Sequence, residues 1–141
     1  MLNEELLFVW LQLGNVIDNQ RLVAELPFNE ALVCGLLSRS DVPLTASDLC
    51  NLTRILKSQM NAILCSLEQK GLIKRQKSQN DRRQIELYLL PDGITRYNAS
   101  HQKTLRLVDL LIQSVGEENI RTLIPLLKQV IISFDKIQKA V

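Results

Sequence analysis

The fold of this chain is decided by residues 57–90, which read KSQMNAILCSLEQKGLIKRQKSQNDRRQIELYLL. The first part predicts a helix from about Lys57 to Lys70, because apolar residues recur at helical spacing and Gly71 follows as a C-terminal cap. The inward-facing residues of this helix are Met60, Ile63, Leu64 and Leu67. The second part predicts two strands, residues 72–75 and 84–90, around a polar tip. A helix that runs into a basic β-hairpin is therefore expected.

Three further helices are predicted before this stretch. Apolar spacing predicts the first at about residues 2–20 and a second that starts with Pro27 in its first turn and ends before Ser38. The second helix carries an apolar stripe of Phe28, Leu32, Val33, Leu36 and Leu37, and helical spacing places Cys34 on its polar side. Thr45 and Asp48 have the spacing of a capping box, which predicts the start of a short third helix.

Two long apolar helices are predicted after the hairpin. The first opens at residues 91–93 and runs to about Val115, and the second covers about Glu117 to Lys139. Pro125 lies inside the second pattern, where it is expected either to kink the helix or to mark its true start.

Helix, helix, helix and hairpin is the order of a winged helix-turn-helix. The chain is therefore predicted to be a mainly α, single domain over residues 1–141, with the winged helix at 28–90 and a small β-hairpin as its wing. So small a module cannot cover the remaining apolar helices. Residues 1–20 and 91–141 are accordingly expected to form an all-helical dimerisation layer of a homodimer.

The charge of the chain is concentrated in one segment. Residues 54–83 contain eight basic and two acidic residues, a net charge of +6, whereas the rest of the chain carries −4. A basic block inside a nearly neutral protein is typical of a surface that meets phosphate. A merely solvated charged face usually mixes both signs. Nucleic acid is thus the favoured partner.

The composition argues against several other classes of protein. No apolar run approaches the 18 or more residues of a membrane span, so no membrane partner is expected. The acidic first residues do not resemble a signal peptide. Cys34, Cys50 and Cys65 are an odd number without paired spacing, which favours reduced thiols and a cytoplasmic protein.

No enzyme signature is found in the sequence. There is no glycine-rich phosphate loop, no Gly-x-Ser-x-Gly and no histidine beside a nucleophile. His101 is the only histidine and is expected to be an ordinary polar residue of the fifth helix, and no Cys-x-x-Cys is present in the chain. We therefore expect no catalytic residues, no metal site and no cofactor.

The segment from Leu44 to Gly93 resembles the MarR family of bacterial transcriptional regulators. Residues 44–49 (LTASDL) look like the family's opening of the third helix. Residues 57–61 (KSQMN) and 67–75 (LEQKGLIKR) look like its recognition helix running into the wing, and residues 80–83 (NDRR) and 89–93 (LLPDG) like the wing tip and return strand. Two positions depart from the family pattern: Leu90 replaces a capping Thr, and Leu56 replaces a frequent Asp.

The helix at residues 57–70 is expected to fit a major groove. Its outward positions are polar or small, as groove entry requires. Gln59 and Asn61 carry amides able to read an adenine edge, Ser58 can reach a base or a phosphate, and Ala62 can touch a thymine methyl. Lys57, at the helix start, is better placed for a phosphate.

The hairpin adds a second set of candidate DNA-binding residues. Its basic members are Lys74, Arg75, Lys77, Arg82 and Arg83. The resemblance implies that Arg83 enters the minor groove while Asp81 holds the wing through an ion pair. A weakly hydrated guanidinium suits that narrow, electronegative groove. Arg54, Lys74 and Arg75 are expected on the phosphate backbone.

These residues together predict a sequence-specific, DNA-binding homodimer acting as a repressor on a pseudo-palindromic operator. The resemblance implies that an inducer, where one exists, is a small molecule bound between the dimerisation helices and the winged domain. Three alternatives stay open: an activator of the same fold, a winged helix used for protein–protein contact, and a cysteine-based redox regulator. Cys65 is the first candidate for the last, because basic neighbours favour a thiolate.

Overall fold

The computed structural model describes residues 1–20 and 26–140, which form six helices and three strands. The helices are α1 (Leu2–Gln20), α2 (Phe28–Arg39), α3 (Ala46–Thr53), α4 (Lys57–Gln69), α5 (Pro91–Val115) and α6 (Glu117–Ala140). The strands are β1 (Leu44–Thr45), β2 (Ile73–Lys77) and β3 (Ile85–Leu89). The predicted mainly α winged-helix order is confirmed. No helix within the described residues is long and apolar enough to cross a lipid bilayer.

The chain divides into two compact units, Met1–Thr104 and Leu105–Val141. The first unit contains the winged helix and has a buried core drawn from α2, α3, α4, β2, β3 and the start of α5. The core residues are Leu26, Val33, Cys34, Leu49, Met60, Leu64, Leu67, Leu72, Ile73, Leu87 and Tyr97. In the second unit, none of the α6 residues is buried.

The sheet contains one strand that the sequence did not predict. β2 and β3 form the expected antiparallel hairpin, with Ile73 opposite Leu89 and Lys77 opposite Ile85. β1 pairs with the other edge of β3, which gives the strand order β1-β3-β2. A strand of two residues has no detectable alternation, so only its pairing defines it.

The capping signals on either side of the recognition-helix region are confirmed. The Thr45 hydroxyl accepts the Asp48 N–H at 3.2 Å, and the Asp48 carboxylate accepts the Thr45 N–H at 2.9 Å. At the end of α4, Gly71 adopts a φ of 72° and the Leu72 N–H reaches back to the Leu67 carbonyl at 3.0 Å. These bonds satisfy polar groups that helix ends leave unpaired.

The prediction for α2 is wrong in three respects. Pro27 is the residue before the helix, which begins at Phe28 and continues to Arg39. Phe28 and Leu32 of the predicted stripe are exposed rather than buried. Cys34, expected on the polar side, is completely buried. The buried face of α2 is rotated towards Glu30 and Cys34, because α2 packs on α4 as well as on α5.

The long helices begin and end close to the predicted residues. α5 begins at Pro91, which needs no hydrogen-bond acceptor for its nitrogen, so the missing cap at Leu90 does not prevent helix formation. The Leu90 N–H donates to the Leu72 carbonyl at 2.9 Å and ties the start of α5 to the start of the wing. Pro125 lies inside α6, which begins at Glu117, so Pro125 does not mark the start of the helix.

Candidate nucleic-acid interface

The turn between α3 and α4 is fixed by one side chain and one unusual backbone conformation. The Thr53 hydroxyl donates to the Leu49 carbonyl at 2.7 Å and accepts the Ile55 N–H at 3.2 Å. Arg54 has a φ of 64°, in the left-handed region that residues with a Cβ adopt at a cost. Its N–H donates to the Cys50 carbonyl at 2.8 Å and closes α3. The turn thereby sets the direction of α4.

The two faces of α4 separate as the sequence predicted. Met60, Leu64 and Leu67 are buried. The outward residues are exposed: Ser58, Gln59, Asn61, Ala62 and Cys65. Lys57 is also exposed, and Leu56 before it provides no side-chain cap. α4 thus presents small and amide-bearing side chains to solvent along one face, with the uncapped amides of its first turn beside Lys57.

The wing tip is an ordered turn built by Ser78 and Asp81. The buried Ser78 hydroxyl accepts the N–H groups of Asn80 and Asp81 at 3.2 and 3.3 Å. The Ser78 N–H donates to the Gln84 carbonyl, and the Gln84 N–H donates to the Asp81 carbonyl. Arg82 and Arg83, both exposed, are therefore the two central residues of a turn held on both sides.

Asp81 acts on the backbone of the wing. Its Oδ1 accepts the N–H of Arg83 at 3.0 Å. Among the described residues, no ion pair joins the Asp81 and Arg83 side chains, which differs from the contact the resemblance implied. Aspartate side chains commonly fold turns in this way. The result is that Asp81 fixes the direction of the turn while the Arg83 guanidinium remains extended to solvent.

Lys74 and Lys77 lie on β2 with their side chains exposed. Lys74 Nζ lies 5.7 Å from the centre of the Tyr88 ring, its cross-strand partner. The Tyr88 hydroxyl donates to Glu86, and this hydrogen bond raises the pKa of Tyr88. The cation–π contact keeps the Lys74 ammonium on one side of the hairpin.

Arg75 differs from the other basic residues of the wing. It is only partly exposed, and its Nε lies 3.4 Å from the Glu68 carboxylate on α4. Its Nη2 lies 3.6 Å from the Cys65 Sγ. The guanidinium expected on the phosphate backbone therefore packs against the last turns of α4. In this position Arg75 joins the wing to α4.

An ion pair with a buried carboxylate joins α2 to the end of α4. Glu30 is 5% exposed, and its Oε1 accepts Lys70 Nζ at 2.8 Å and the Ser66 hydroxyl at 3.0 Å. This pair could not be predicted from the sequence, because the partners are 40 positions apart and nothing local connects them. The one available signal was an acidic residue one turn before Cys34 in an otherwise apolar segment.

A cavity of about 200 Å³ lies between α2 and the first part of α5, within the first unit. Its lining is mostly apolar, with Arg39, His101 and Ser100 as polar members. The Ser100 hydroxyl is buried and has no hydrogen-bond partner among the described residues. His101 stacks on Tyr97 with ring centres 5.2 Å apart. His101 was expected to be an ordinary polar residue of α5, and the structure places it against this cavity.

Residues 24–84 match the model of the MarR family. They span α2, the helix-turn-helix and most of the wing, the same elements that carry the exposed polar and basic residues described above. This segment of the chain is similar to the MarR family. No curated protein matches the chain.

Three solved structures illustrate the similarity of fold. The repressor CouR, bound to a 23-mer DNA duplex, has a TM-score of 0.78 and 23% identity, with 92% of each chain covered. MepR of S. aureus, in a DNA complex, has a TM-score of 0.76 and 18% identity over 95% of this chain and 98% of its own. PcaV of Streptomyces coelicolor, with its natural ligand, has a TM-score of 0.76 and 16% identity over 88% of each chain.

The three cysteines of this chain have different surroundings. Cys34 is buried against α4, and burial raises its thiol pKa from 9.0 to about 11, with the nearby Glu30 carboxylate adding to the shift. Cys50 is half-buried and Cys65 is exposed on α4. A neutral, enclosed thiol is a poor nucleophile.

We predict that Cys34 resists thiol reagents until the protein unfolds. At pH 8, Cys65 should react fastest with a small disulfide reagent, and Cys34 should react only in urea, as followed by mass spectrometry of the labelled peptides. A Cys65→Ser variant, in which the fast labelling disappears, is the matched control. Rapid labelling of Cys34 in the folded protein would contradict this assignment.

The raised pKa of Cys34 also implies that the free energy of unfolding falls between about pH 9 and 11, because over that range the thiol loses its proton only in the unfolded chain.

Proposed function

We propose that this chain is a DNA-binding transcriptional regulator, a repressor that places α4 in a major groove and the wing in the neighbouring minor groove. The observation that carries the proposal is the exposed amide-bearing face of α4 beside an ordered wing with four exposed basic residues. These residues are Lys74, Lys77, Arg82 and Arg83, and none of them forms an ion pair within the described residues. Unpaired exposed cations in one place are what a phosphate backbone attracts.

Within this proposal, α4 reads bases. Gln59 and Asn61 present amides that can pair with an adenine edge, and Ser58 reaches a base or a phosphate. Ala62 contacts a thymine methyl, and Lys57 contacts a phosphate beside the uncapped first turn of α4. These roles rest on the exposure of all five side chains.

The wing and the turn before α4 supply the remaining contacts. Arg83 enters the minor groove, and its direction is fixed because its backbone N–H donates to the Asp81 carboxylate. Lys74, Lys77, Arg82 and Arg54 contact phosphates. We assign Arg75 to positioning rather than to phosphate, because its guanidinium is paired with Glu68.

We expect the regulator to be a homodimer, because its terminal helices leave apolar side chains exposed in the single chain. On α1 these are Leu2, Leu6, Leu7, Phe8, Val9, Trp10, Leu11, Leu13 and Val16. On α6 they are Leu123, Ile124, Leu126, Leu127, Ile131, Ile132, Phe134 and Ile137. Exposed apolar surface of this extent marks an interface. A two-fold dimer places two copies of α4 against a pseudo-palindromic operator.

Sedimentation at micromolar concentration should therefore give a species of twice the 16.1 kDa chain mass. Deleting the last fifteen residues should shift the protein towards monomer and lower its DNA affinity, since it removes part of the α6 apolar surface. The exposed Glu117→Gln change in the same helix leaves that surface intact and should sediment like the parent. A parent protein that sediments only as a 16.1 kDa species would overturn the dimer assignment.

The proposed function is tested by selecting operators from a random duplex library with the purified protein. The expected product is a two-fold symmetric consensus whose affinity falls steeply as salt rises. Asn61→Ala and Gln59→Ala should relax the base preference, whereas Lys74→Ala should weaken all duplexes and flatten the salt slope by about one unit. Failure to enrich any duplex sequence, with folding verified by thermal melts, would refute the proposal.

Arg54 gives a test that separates stability from binding. Replacing Arg54 by glycine relieves the left-handed strain and should raise the free energy of unfolding by about 1 kcal/mol. The same change removes a proposed phosphate contact and should weaken operator and non-operator DNA alike. Arg54→Ala, which keeps a Cβ in the strained conformation, is the control that should lose binding without gaining stability. Parental DNA affinity in the Arg54→Gly protein would remove Arg54 from the interface.

We further propose that the α2–α5 cavity holds the small molecule that releases the repressor from DNA. A predominantly apolar lining with an unpartnered buried hydroxyl is typical of a ligand site. The Ser100 hydroxyl offers a hydrogen bond, and Arg39 at the wall suits a ligand carrying a carboxylate.

The position of the selected operator relative to its promoter distinguishes activation from repression. As a regulator rather than an enzyme, the protein belongs with DNA in the cytoplasm, where its three thiols stay reduced.

A further inference from the structure

We propose that Glu30 is the positioning residue through which the α2–α5 cavity controls the recognition helix. This inference rests on the proposed function, because it names how occupation of the cavity reaches the DNA-binding surface. Glu30 contacts neither ligand nor DNA. It acts through Ser66 and Lys70, the two residues of the last turn of α4 that its carboxylate holds.

α2 separates the cavity from the recognition helix. On one face, Ala31 and Gly35 line the cavity opposite Tyr97 and Ser100 of α5. The neighbouring face carries Glu30 and Cys34, both buried towards α4. These two pairs are adjacent in sequence. A ligand that presses on α2 therefore presses on the helical turn that carries the Glu30 carboxylate.

The connection from Glu30 to α4 is short and bonded at two points. One carboxylate oxygen accepts both Ser66 Oγ at 3.0 Å and Lys70 Nζ at 2.8 Å. Lys70 is the C-cap residue of α4, where a cation complements the exposed carbonyl groups of the helix end. The Glu30 side chain is 6% exposed and the Lys70 side chain is 33% exposed, so water reaches the lysine end of the pair while the carboxylate stays buried and needs its two partners.

The surroundings of this connection make it suited to transmit a displacement. Val33, Cys34, Leu64 and Leu67 around it are completely buried. Close-packed side chains of this kind transmit strain rather than absorb it. The last turn of α4 is also joined to the wing, since Glu68 pairs with Arg75. A shift of Glu30 thus reaches both the recognition helix and the strand that leads to Arg83.

The test uses a built-in occupant of the cavity, so no natural ligand is required. Ser100→Phe places a ring in the cavity from the α5 side, and Ser100→Leu is a smaller alternative should the first variant unfold. Each is made in the parent and in a Glu30→Gln background, which keeps the side-chain shape and removes its charge. Glu117→Gln, which removes a carboxylate paired with Arg121 on exposed α6, is the matched control background.

Two readouts are measured for every protein that melts cooperatively. The first is affinity for the selected operator, and the second is amide hydrogen exchange across α4 without DNA. In the parent and Glu117→Gln backgrounds we expect the occupant to weaken operator binding about tenfold and to speed exchange in α4. In the Glu30→Gln background both effects should shrink to less than about a third.

The inference would be overturned if the Ser100 substitution changed operator affinity and α4 exchange equally in the parent and Glu30→Gln backgrounds. It would also be overturned if the folded Ser100 variants changed neither readout. Failure of the proposed function shows itself differently, as a parent protein that enriches no operator. In that event the exchange measurement still decides whether Glu30 couples the cavity to α4.

Discussion

Replacing Arg83 by alanine is expected to weaken operator binding about 30-fold and non-operator binding less, in the range usual for loss of one specific arginine contact. Arg83 is a central residue of the turn that Ser78 and Asp81 hold, and its guanidinium is exposed. A narrow minor groove concentrates negative potential, so its occupant reads groove width as well as charge. The loss should be measured by titrating labelled operator and non-operator duplexes across a salt series.

A conservative variant and a control arginine outside the proposed interface make this prediction specific. Arg83→Lys should recover only part of the affinity, because an ammonium holds its water more tightly than a guanidinium. Arg106→Ala removes the same charge from an exposed position of α5 that is not among the proposed DNA-binding residues, and it should leave operator binding within about twofold. If a folded Arg83→Ala protein binds operator like the parent, the wing does not enter the groove.

Gly93→Ala should be among the most destabilising single substitutions in the chain, costing about 3 kcal/mol or more of the free energy of unfolding. Gly93 is buried in the first turn of α5, and an added Cβ would overlap the Leu72 carbonyl oxygen and lie 3.0 Å from its carbon. That carbonyl is backbone and already accepts the Leu90 N–H, so it cannot turn away. The loss should appear in urea unfolding at fixed protein concentration, since a dimer's stability depends on concentration.

Gly14→Ala is the matched control for this substitution. Gly14 lies inside α1, and a Cβ there meets nothing within 4 Å. Alanine in a helix interior is favoured over glycine by about 1 kcal/mol, so this variant should unfold at the same or a higher urea concentration. Similar unfolding midpoints for Gly93→Ala and the parent would show that the approach of α5 to Leu72 is not tight.

Local signals explain why much of the winged helix could be predicted from the sequence. The Thr45–Asp48 capping box and the glycine at position 71 act within a few residues, so they mark the ends of α3 and α4 directly. The inward face of α4 follows from helical spacing, and its amphipathic pattern survives because one side of the helix meets solvent. The exposed residues at the wing tip follow from a polar stretch between two apolar strands.

Contacts between distant segments could not be predicted in this way. Glu30 and Lys70 are joined only by the packing of α2 on α4, and Arg75 turns inward only because Glu68 lies opposite it. Cys34 was misplaced for the same reason, because the buried face of α2 depends on two neighbouring helices rather than on its own pattern. β1 exists only through its pairing with β3.

Dimethyl sulfate protection of the selected operator tests the DNA-binding account most directly, because it reads guanine N7 in the major groove and adenine N3 in the minor groove. The proposal predicts two protected major-groove tracts about one helical turn, roughly 10 base pairs, apart. Protected minor-groove adenines should adjoin each tract. The Arg83→Ala variant should lose protection of these adenines only, whereas the Asn61→Ala variant should lose protection of the major-groove guanines. A parent protein that protects neither groove, or protects one tract without a symmetric partner, would contradict the reading of DNA by paired α4 helices and wings.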